Sequence, residues 1–302
     1  MAACEPIYLE TARKGLLLEK VNAARRILTD CSLCPRNCRV DRCAGELGEC
    51  ETGEEAVVSS FNAHFGEEAP LVGAYGSGTI FFTHCSLKCN FCQNFDISHQ
   101  GEGDPFSVAQ LASTMLILQK AGCHNINLVT PTHVVPQILS AVYSAIDGGL
   151  SIPLVYNSSG YENVETLRLL EGVIDIYMPD FKFWDPAVAA LTCQAPDYPE
   201  AARRSLKEMH RQVGDLQISA AGLAERGVII RHLVLPEGLA GTRPIMDFIV
   251  KEISADSYVN LMDQYRPCGN AHQVSGLARP LSRDQFQEAL QDARAAGIRR
   301  LA

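Results

Sequence analysis

The sequence has no apolar run long enough to cross a bilayer. Runs such as Gly15-Leu16-Leu17-Leu18 fall far short of the roughly 20 residues a spanning helix needs. It also lacks a surplus of basic charge. Lys and Arg number 26 against 35 Asp and Glu, for a net charge of −9 and a pI of about 5.4. A sequence-independent grip on nucleic-acid phosphates needs a basic surface, so no nucleic-acid partner is expected. The opening stretch MAACEPIYLE is acidic where a secretory signal is basic, and no apolar core follows. The expectation is a cytoplasmic protein with no membrane partner. There is no internal repeat and no low-complexity tract. What remains is ordinary globular material: 302 residues, 47% hydrophobic and 20% charged. That length suits one large α/β domain, alone or with an extension, burying roughly 75% of its unfolded surface.

Cysteine is the residue in excess. Of 12, eight lie between Cys31 and Cys92. In a large chain with no export signal, clustered thiols point to metal ligation rather than disulfides. Cys4, Cys123, Cys193 and Cys268 are isolated in sequence and read as small buried hydrophobes.

Periodicity places a helix over about 7–29, the cysteine-rich loop over 31–53, and a short irregular segment over 55–72 with a strand at Ala56 to Phe61. From Gly73 onward, short β-branched runs alternate with longer periodic ones. Strands are expected at 78–82, 126–130, 152–156, 173–178, 228–235 and 258–262. Helices are expected at 107–121, 136–147, 163–171, within 186–222, at 244–253 and at 282–296. Ser107 with Gln110, and Ser282 with Gln285, stand at capping-box spacing. Six apolar strands without clean alternation, each followed by a helix, define an α/β chain whose strands are covered on both faces. The reading is a partial parallel (β/α)6 barrel, with its chemistry at the carboxyl ends of the strands. The expected organisation is a helix plus cysteine-rich metal-binding extension over 1–72, the partial barrel over 73–270, and a closing helix packed on it over 271–302.

The stretch THCSLKCNFCQN, directly after the first barrel strand, holds Cys85, Cys89 and Cys92 and no fourth cysteine. Cubane [4Fe–4S] clusters are normally held by four thiolates. Three leave one iron open, and an open position marks a reactive rather than a structural metal site. The alternative for the same residues is a zinc site completed by a distant side chain such as His84 or His99.

Cys85-Ser86-Leu87-Lys88-Cys89-Asn90-Phe91-Cys92, with an aromatic before the last cysteine, resembles the signature of the radical S-adenosylmethionine superfamily. Together with CSLCPRNCRVDR, INLVTPTHVV, PLVYNSSGYE, DIYMPDFK and RHLVLPEG, the chain resembles the PflX-like group, relatives of pyruvate formate-lyase activating enzyme, over roughly residues 30 to 300. The resemblance implies a radical-SAM-type barrel and a [4Fe–4S] cluster on Cys85, Cys89 and Cys92. S-adenosylmethionine would be chelated at the open iron, then cleaved reductively to a 5′-deoxyadenosyl radical that abstracts hydrogen from substrate. A reductant such as flavodoxin or ferredoxin is then the expected partner, beside an unknown protein or small-molecule substrate.

It also implies cofactor-binding residues at the strand ends. Where activating enzymes carry Gly-Gly-Glu-Pro for the cofactor's amino group, this chain has Thr130-Pro131-Thr132-His133, so Thr132, His133 or backbone carbonyls take that place. The rival reading of these residues is a capped strand end. Asn157 and Ser159 stand where the family has an Asn-Gly turn near the ribose and carboxylate; they also suit an ordinary polar turn. Asp180 and Lys182 resemble its Asp-x-Lys, and their i, i+2 spacing puts both side chains on one face; a structural ion pair is the rival. Arg231 could meet a carboxylate in bidentate fashion. His232, on the opposite face, reads as a satisfied core histidine, and Gln264 and Tyr265 close the last strand.

The same family pattern runs through Cys31, Cys34, Cys38 and Cys50, leaving Cys43 as the odd one out. Four thiolates can hold structural zinc or an auxiliary iron–sulfur cluster, and ligand type alone does not separate the two. Three functions compete for the whole chain: an activase that makes a glycyl radical on a protein, the same chemistry on a small molecule or peptide, and a non-catalytic iron–sulfur carrier or zinc-clipped scaffold.

Overall fold

The computed structural model describes residues 5–302, and Cys4 lies outside them. Strands β1 (Ala56–His64), β2 (Ser77–Phe82), β3 (Asp104–Phe106), β4 (Ile126–Val129), β5 (Leu154–Ser158), β6 (Ile176–Pro179), β7 (Gln217–Ile218), β8 (Ala224–Leu233), β9 (Tyr258–Met262) and β10 (Arg300–Leu301) form one sheet. Its order is β10-β9-β8-β6-β5-β4-β2-β1-β3, with β7 added to β8. Strands β2, β4, β5, β6, β8 and β9 pair in parallel. These are the six strands read from the sequence. The α/β class therefore stands, and the hydrogen-bonded path is open, ending at β3 and β10.

The helices are α1 (Ile7–Arg13), α2 (Leu16–Ile27), α3 (Ala69–Val72), α4 (Phe95–Ser98), α5 (Val108–Lys120), α6 (Val135–Asp147), α7 (Val164–Leu170), α8 (Pro186–Cys193), α9 (Tyr198–Val213), α10 (Thr242–Phe248) and α11 (Arg283–Ala296). Both sequence-read capping boxes form, each with its side-chain and backbone hydrogen bonds in place.

Strand alternation divides the core in two. One face, with Ile80, Leu128, Tyr156, Tyr177, Ile230 and Leu261, packs under the helices. The other, with Val155, Ile176, Met178 and Ile229, makes a separate inner cluster closed by Leu71. Above that inner layer, residues from β2, β4, β5, β8 and β9, and from directly after β6, line a single cavity. A flat six-stranded sheet would spread them over more than about 20 Å at the usual strand spacing, so the sheet must curve around the cavity.

The segment that supplies Leu71 spans the side the curved sheet leaves open. Asn125 Nδ2, before β4, donates to the Leu71 carbonyl at 2.8 Å. Asn260 Nδ2, on β9, donates to Glu68 at 2.8 Å. The segment 55–72 is thus more ordered than its composition indicated: β1 runs nine residues, antiparallel to both β2 and β3.

Three boundaries differ from the sequence reading for local reasons. The expected helix over 7–29 breaks at Gly15, whose φ of 75° is left-handed. β5 starts at Leu154 rather than 152, because Pro153 has no N–H and the Leu154 N–H is taken by the Asp175 carboxylate at 2.9 Å. β6 starts at Ile176 because the N–H groups of Val173 and Ile174 still bond back to Leu170.

Leu71 is fully buried between the inner strand faces. Leu71→Ala should cost about 2–5 kcal/mol, read as a lower urea midpoint with an unchanged slope. A change within error of zero would show that this segment does not close the barrel interior.

Candidate functional site

The cavity at the carboxyl ends of the parallel strands has a volume of about 400 Å³. One wall is the loop after β2. Cys85, Cys89 and Cys92 all line the cavity, with His84, Leu87 and Phe91 beside them. The aromatic before the last cysteine anchors the loop: Phe91 is buried edge-on against Phe183 and Tyr265, at 5.9 and 6.0 Å. His84 and Lys88 take left-handed φ values of 69° and 50°, which turn the short loop tightly.

Cys89 is buried and Cys85 and Cys92 are half-buried, with donors around them. Cys85 Sγ accepts from the Leu87 N–H at 3.3 Å. Burial pushes the Cys85 thiol up to about 12, with Cys89 adding to the rise and the Lys88 and Leu87 N–H groups opposing it. Cys92 is raised by burial and by Cys89, against donors from Ser98 and the Asn94 N–H. Cys89 is held well up by the Cys193 thiol, 3.3 Å away, and by burial, while the Lys182 ammonium opposes both.

The facing wall comes from the other strand ends. Lys182 Nζ donates to Asp180 Oδ2 at 2.6 Å. Burial would lower the Lys182 ammonium, but Asp180 and Cys89 beside it hold it charged. Asn157 and Ser159 line the cavity from the end of β5. Arg231 projects from β8 toward Glu67 and Glu68 at 3.4 Å each and Asp180 at 3.8 Å. Its guanidinium is therefore already met by three carboxylates. Burial raises the Glu67 carboxyl, against the pull of Arg231.

Thr132 and His133 stand apart from this cavity. Thr132 Oγ1 is buried on Glu162 at 2.6 Å. His133 is buried with Nε2 on the Thr83 carbonyl at 2.9 Å, and the residue lines the amino-terminal cysteine site instead, where its backbone carbonyl accepts from Arg42 at 2.7 Å. The β4 end contributes Thr130, in a left-handed conformation with φ 59°. His232 is a satisfied core histidine, between the Phe181 carbonyl at 2.6 Å and Thr242 Oγ1 at 2.9 Å. Gln264 reaches the cavity; Tyr265 is buried behind it, with its hydroxyl on the Leu277 carbonyl at 2.6 Å.

Cys31, Cys34, Cys38 and Cys50 line a second, small space of about 10 Å³. Cys43 sits outside it, exposed on a short turn. Here too donors are aimed at sulfur. The Arg36 N–H opposes the burial-driven rise of Cys34, and the Thr52 N–H and hydroxyl help Arg42 oppose that of Cys50. The Glu49 N–H reaches Cys38 Sγ at 3.4 Å. Among the described residues, no three His, Cys, Asp or Glu side chains converge tightly enough to hold one ion. No described helix is long and apolar enough to cross a membrane.

Sequence reasoning missed Glu67, Glu68 and Cys193. The two glutamates lie more than 160 residues from Arg231 with no motif around them, and Cys193 lies 104 residues from Cys89.

No family model matches the chain. An uncharacterized protein of Methanocaldococcus jannaschii is 33% identical over 293 residues, which cover 94% of this chain and 80% of that one. The chain belongs to the same family as that protein. Among solved structures, it is similar to a radical SAM methyltransferase from Sphaerobacter thermophilus, with TM-score 0.49 and 14% identity over 75% of this chain. It is also similar to methylornithine synthase PylB (TM-score 0.43, 16% identity, 70% of this chain) and to HydG, a maturase of the [FeFe]-hydrogenase (0.48, 13%, 94%). It spans 65%, 60% and 55% of the lengths of those three chains.

Glu162, which holds Thr132 away from the cavity, is fully enclosed, and burial raises its carboxyl to about 7 against hydrogen bonds from Thr132, Tyr156 and Ser158. A folded value above the unfolded one stabilises the protein fully below the unfolded value, and that stabilisation is lost as pH rises through 7. Measured against Glu162→Gln, wild-type stability should fall by up to about 3 kcal/mol between roughly pH 4.5 and pH 7, then level off. Urea unfolding of both proteins at about pH 5 and pH 8 reads this. An equal gap at both values would mean that Glu162 is ionised throughout.

Proposed function

We propose that this protein is a radical S-adenosylmethionine enzyme. The observation that carries the reading is one arrangement: three thiols on one loop, Cys89 buried and Cys85 and Cys92 half-buried, with backbone N–H groups aimed at sulfur, facing a polar wall of Asn157, Ser159, Asp180 and Lys182 across a 400 Å³ cavity. N–H donors to sulfur favour the thiolate, which is the form that ligates iron. The donor set therefore fits a [4Fe–4S] cluster held by Cys85, Cys89 and Cys92. Such a cluster, when bound, supplies the electron that cleaves S-adenosylmethionine to a 5′-deoxyadenosyl radical.

This chain's own residues would then bind and orient. Lys182, fixed by Asp180, is a cation for a carboxylate. Asn157 and Ser159 offer hydrogen bonds from the β5 end, and Thr130 takes the place that the sequence reading gave to Thr132 and His133. Arg231, encircled by Glu67, Glu68 and Asp180, serves better as a fixed polar floor than as a free carboxylate clamp. The apolar lining from Phe81, Leu87, Leu233 and Met262 keeps water from the reacting region. Cys31, Cys34, Cys38 and Cys50 would hold a second metal, either zinc or an auxiliary cluster, by drawing together thiols that do not yet converge on one ion. The finer reading is hydrogen abstraction from a protein partner, as an activase; the alternative is a small molecule or peptide. Closure of the barrel side by the segment around Glu68 and Leu71 favours a substrate taken in at the strand ends.

The test is anaerobic reconstitution with iron and sulfide, reduction, addition of S-adenosylmethionine and assay of 5′-deoxyadenosine. Wild type should give product. The Cys85/Cys89/Cys92→Ala variant should give none, and Asp180→Asn should give roughly tenfold less, about 1.4 kcal/mol of lost barrier reduction. Stoichiometric zinc with no iron in the three-cysteine loop would overturn the reading.

A further inference from the structure

Cys193 is a buried thiol outside both cysteine sets, and the structure places it against one of them. Its Sγ lies 3.3 Å from Cys89 Sγ, and both residues are buried. The other acceptor within reach of its S–H is Thr192 Oγ1, at the longer distance of 3.5 Å, whose own proton goes to the Val188 carbonyl at 2.7 Å.

The contact is built rather than incidental. Cys193 is the last residue of α8, and that helix end is stapled to the three-cysteine loop. The Asn90 N–H donates to the Thr192 carbonyl at 2.9 Å. Arg36 donates to the Cys193 and Gln194 carbonyls at 2.7 and 2.6 Å, and the same guanidinium donates to the Ser86 carbonyl at 3.0 Å. Gln194 ends the helix in a left-handed turn, with φ 51°. Loop and helix end are therefore held in one register, with the two sulfurs between them.

We propose that Cys193 is a positioning and tuning residue for the metal centre, donating its S–H to the Cys89 sulfur. The proposal rests on the assignment of iron to Cys85, Cys89 and Cys92. The contact already runs from the Cys193 S–H to Cys89 Sγ. A Cys89 that ligates iron has no proton to give, so Cys193 is the donor of the pair there too. A hydrogen bond to a ligating sulfur withdraws electron density from it and makes the centre easier to reduce. Cys85 and Cys92 receive backbone or hydroxyl donors. Cys193 supplies the corresponding side-chain donor to the middle cysteine, from a different part of the chain.

The experiment is a redox titration of the reconstituted protein, followed by optical and electron paramagnetic resonance spectra, for wild type, Cys193→Ala, Cys193→Val and Cys193→Ser. Alanine and valine both remove the donor while differing in volume. Serine keeps a donor. The expected result is a lower midpoint potential in both the alanine and valine variants, at unchanged iron content. In the serine variant the potential should stay at or above the wild-type value. Midpoints of all four proteins within error of one another would overturn the tuning role while leaving the iron assignment standing. A drop in the serine variant equal to that in alanine would overturn it too, since packing rather than donation would then be at work. A wild-type protein that takes up no iron in the three-cysteine loop would overturn both.

Discussion

Arg36 is the contact on which the geometry of the site depends. Its guanidinium meets four carbonyls: Ser86 and Leu87 in the three-cysteine loop, Cys193 and Gln194 at the end of α8. Its plane lies over the Tyr161 ring at 5.6 Å. Arg36 itself belongs to the amino-terminal cysteine loop, between Cys34 and Cys38. One side chain thereby ties both cysteine loops to the barrel rim. Only arginine offers enough donors in a rigid fork for this; lysine would present a single point charge to four oxygens. The two loops are joined again by Glu51, next to Cys50, whose carboxylate takes the Lys88 ammonium at 2.7 Å.

Charge is distributed across the cavity with comparable economy. Glu67, Glu68 and Asp180 surround Arg231, and Asp180 also holds Lys182. Burying a single charge costs several kcal/mol, and only good pairing offsets it. The five groups are mutually dependent for that reason. Removing one carboxylate from around Arg231 would still leave its charge paired, whereas removing Arg231 would strand two nearly enclosed glutamates. Lys182 is the one cation of the set with a single carboxylate partner, and it is also the one set beside Cys89.

Much of this fold is legible in the sequence because its signals are local. Capping boxes at Ser107 and Ser282, β-branched runs and glycine stops fix the six parallel strands and most helices. The three-cysteine spacing is local too, as is the parity that sends Arg231 inward and His232 outward. What could not be read involves contacts distant in sequence. Thr132 and His133 sit where a β4 contribution to the cavity is expected. Glu162 and the Thr83 carbonyl, however, take their polar atoms, and the left-handed turn at Thr130 carries the chain away. No property of TPTH by itself announces that Glu162 will stand 30 residues on. Cys193 is buried, as its isolation in sequence indicates, but a small hydrophobe and a sulfur donor look identical until α8 is docked.

Backbone strain shows where the chain concentrates its specificity. Among the described residues eight non-glycine positions adopt left-handed φ, and five of them, Asn37, Arg39, Glu51, His84 and Lys88, lie in the two cysteine loops. A sixth, Thr130, lies at the cavity rim. Each such residue costs on the order of 1 kcal/mol or more unless its surroundings dictate the conformation. Here they do: Arg39 N–H bonds the Cys31 carbonyl at 2.9 Å, His84 N–H the Ile97 carbonyl at 3.0 Å, and Thr130 N–H the Asn157 carbonyl at 2.9 Å. Beside these turns other N–H groups reach sulfur, those of Leu87 and Lys88 toward Cys85 and that of Glu49 toward Cys38. A loop whose only task was to connect β2 to α4 would relax these angles at no loss. That both cysteine loops retain them, and that Arg36 locks the two together, argues for loops shaped before any ligand arrives, with donors fixed where thiolate charge has to be held.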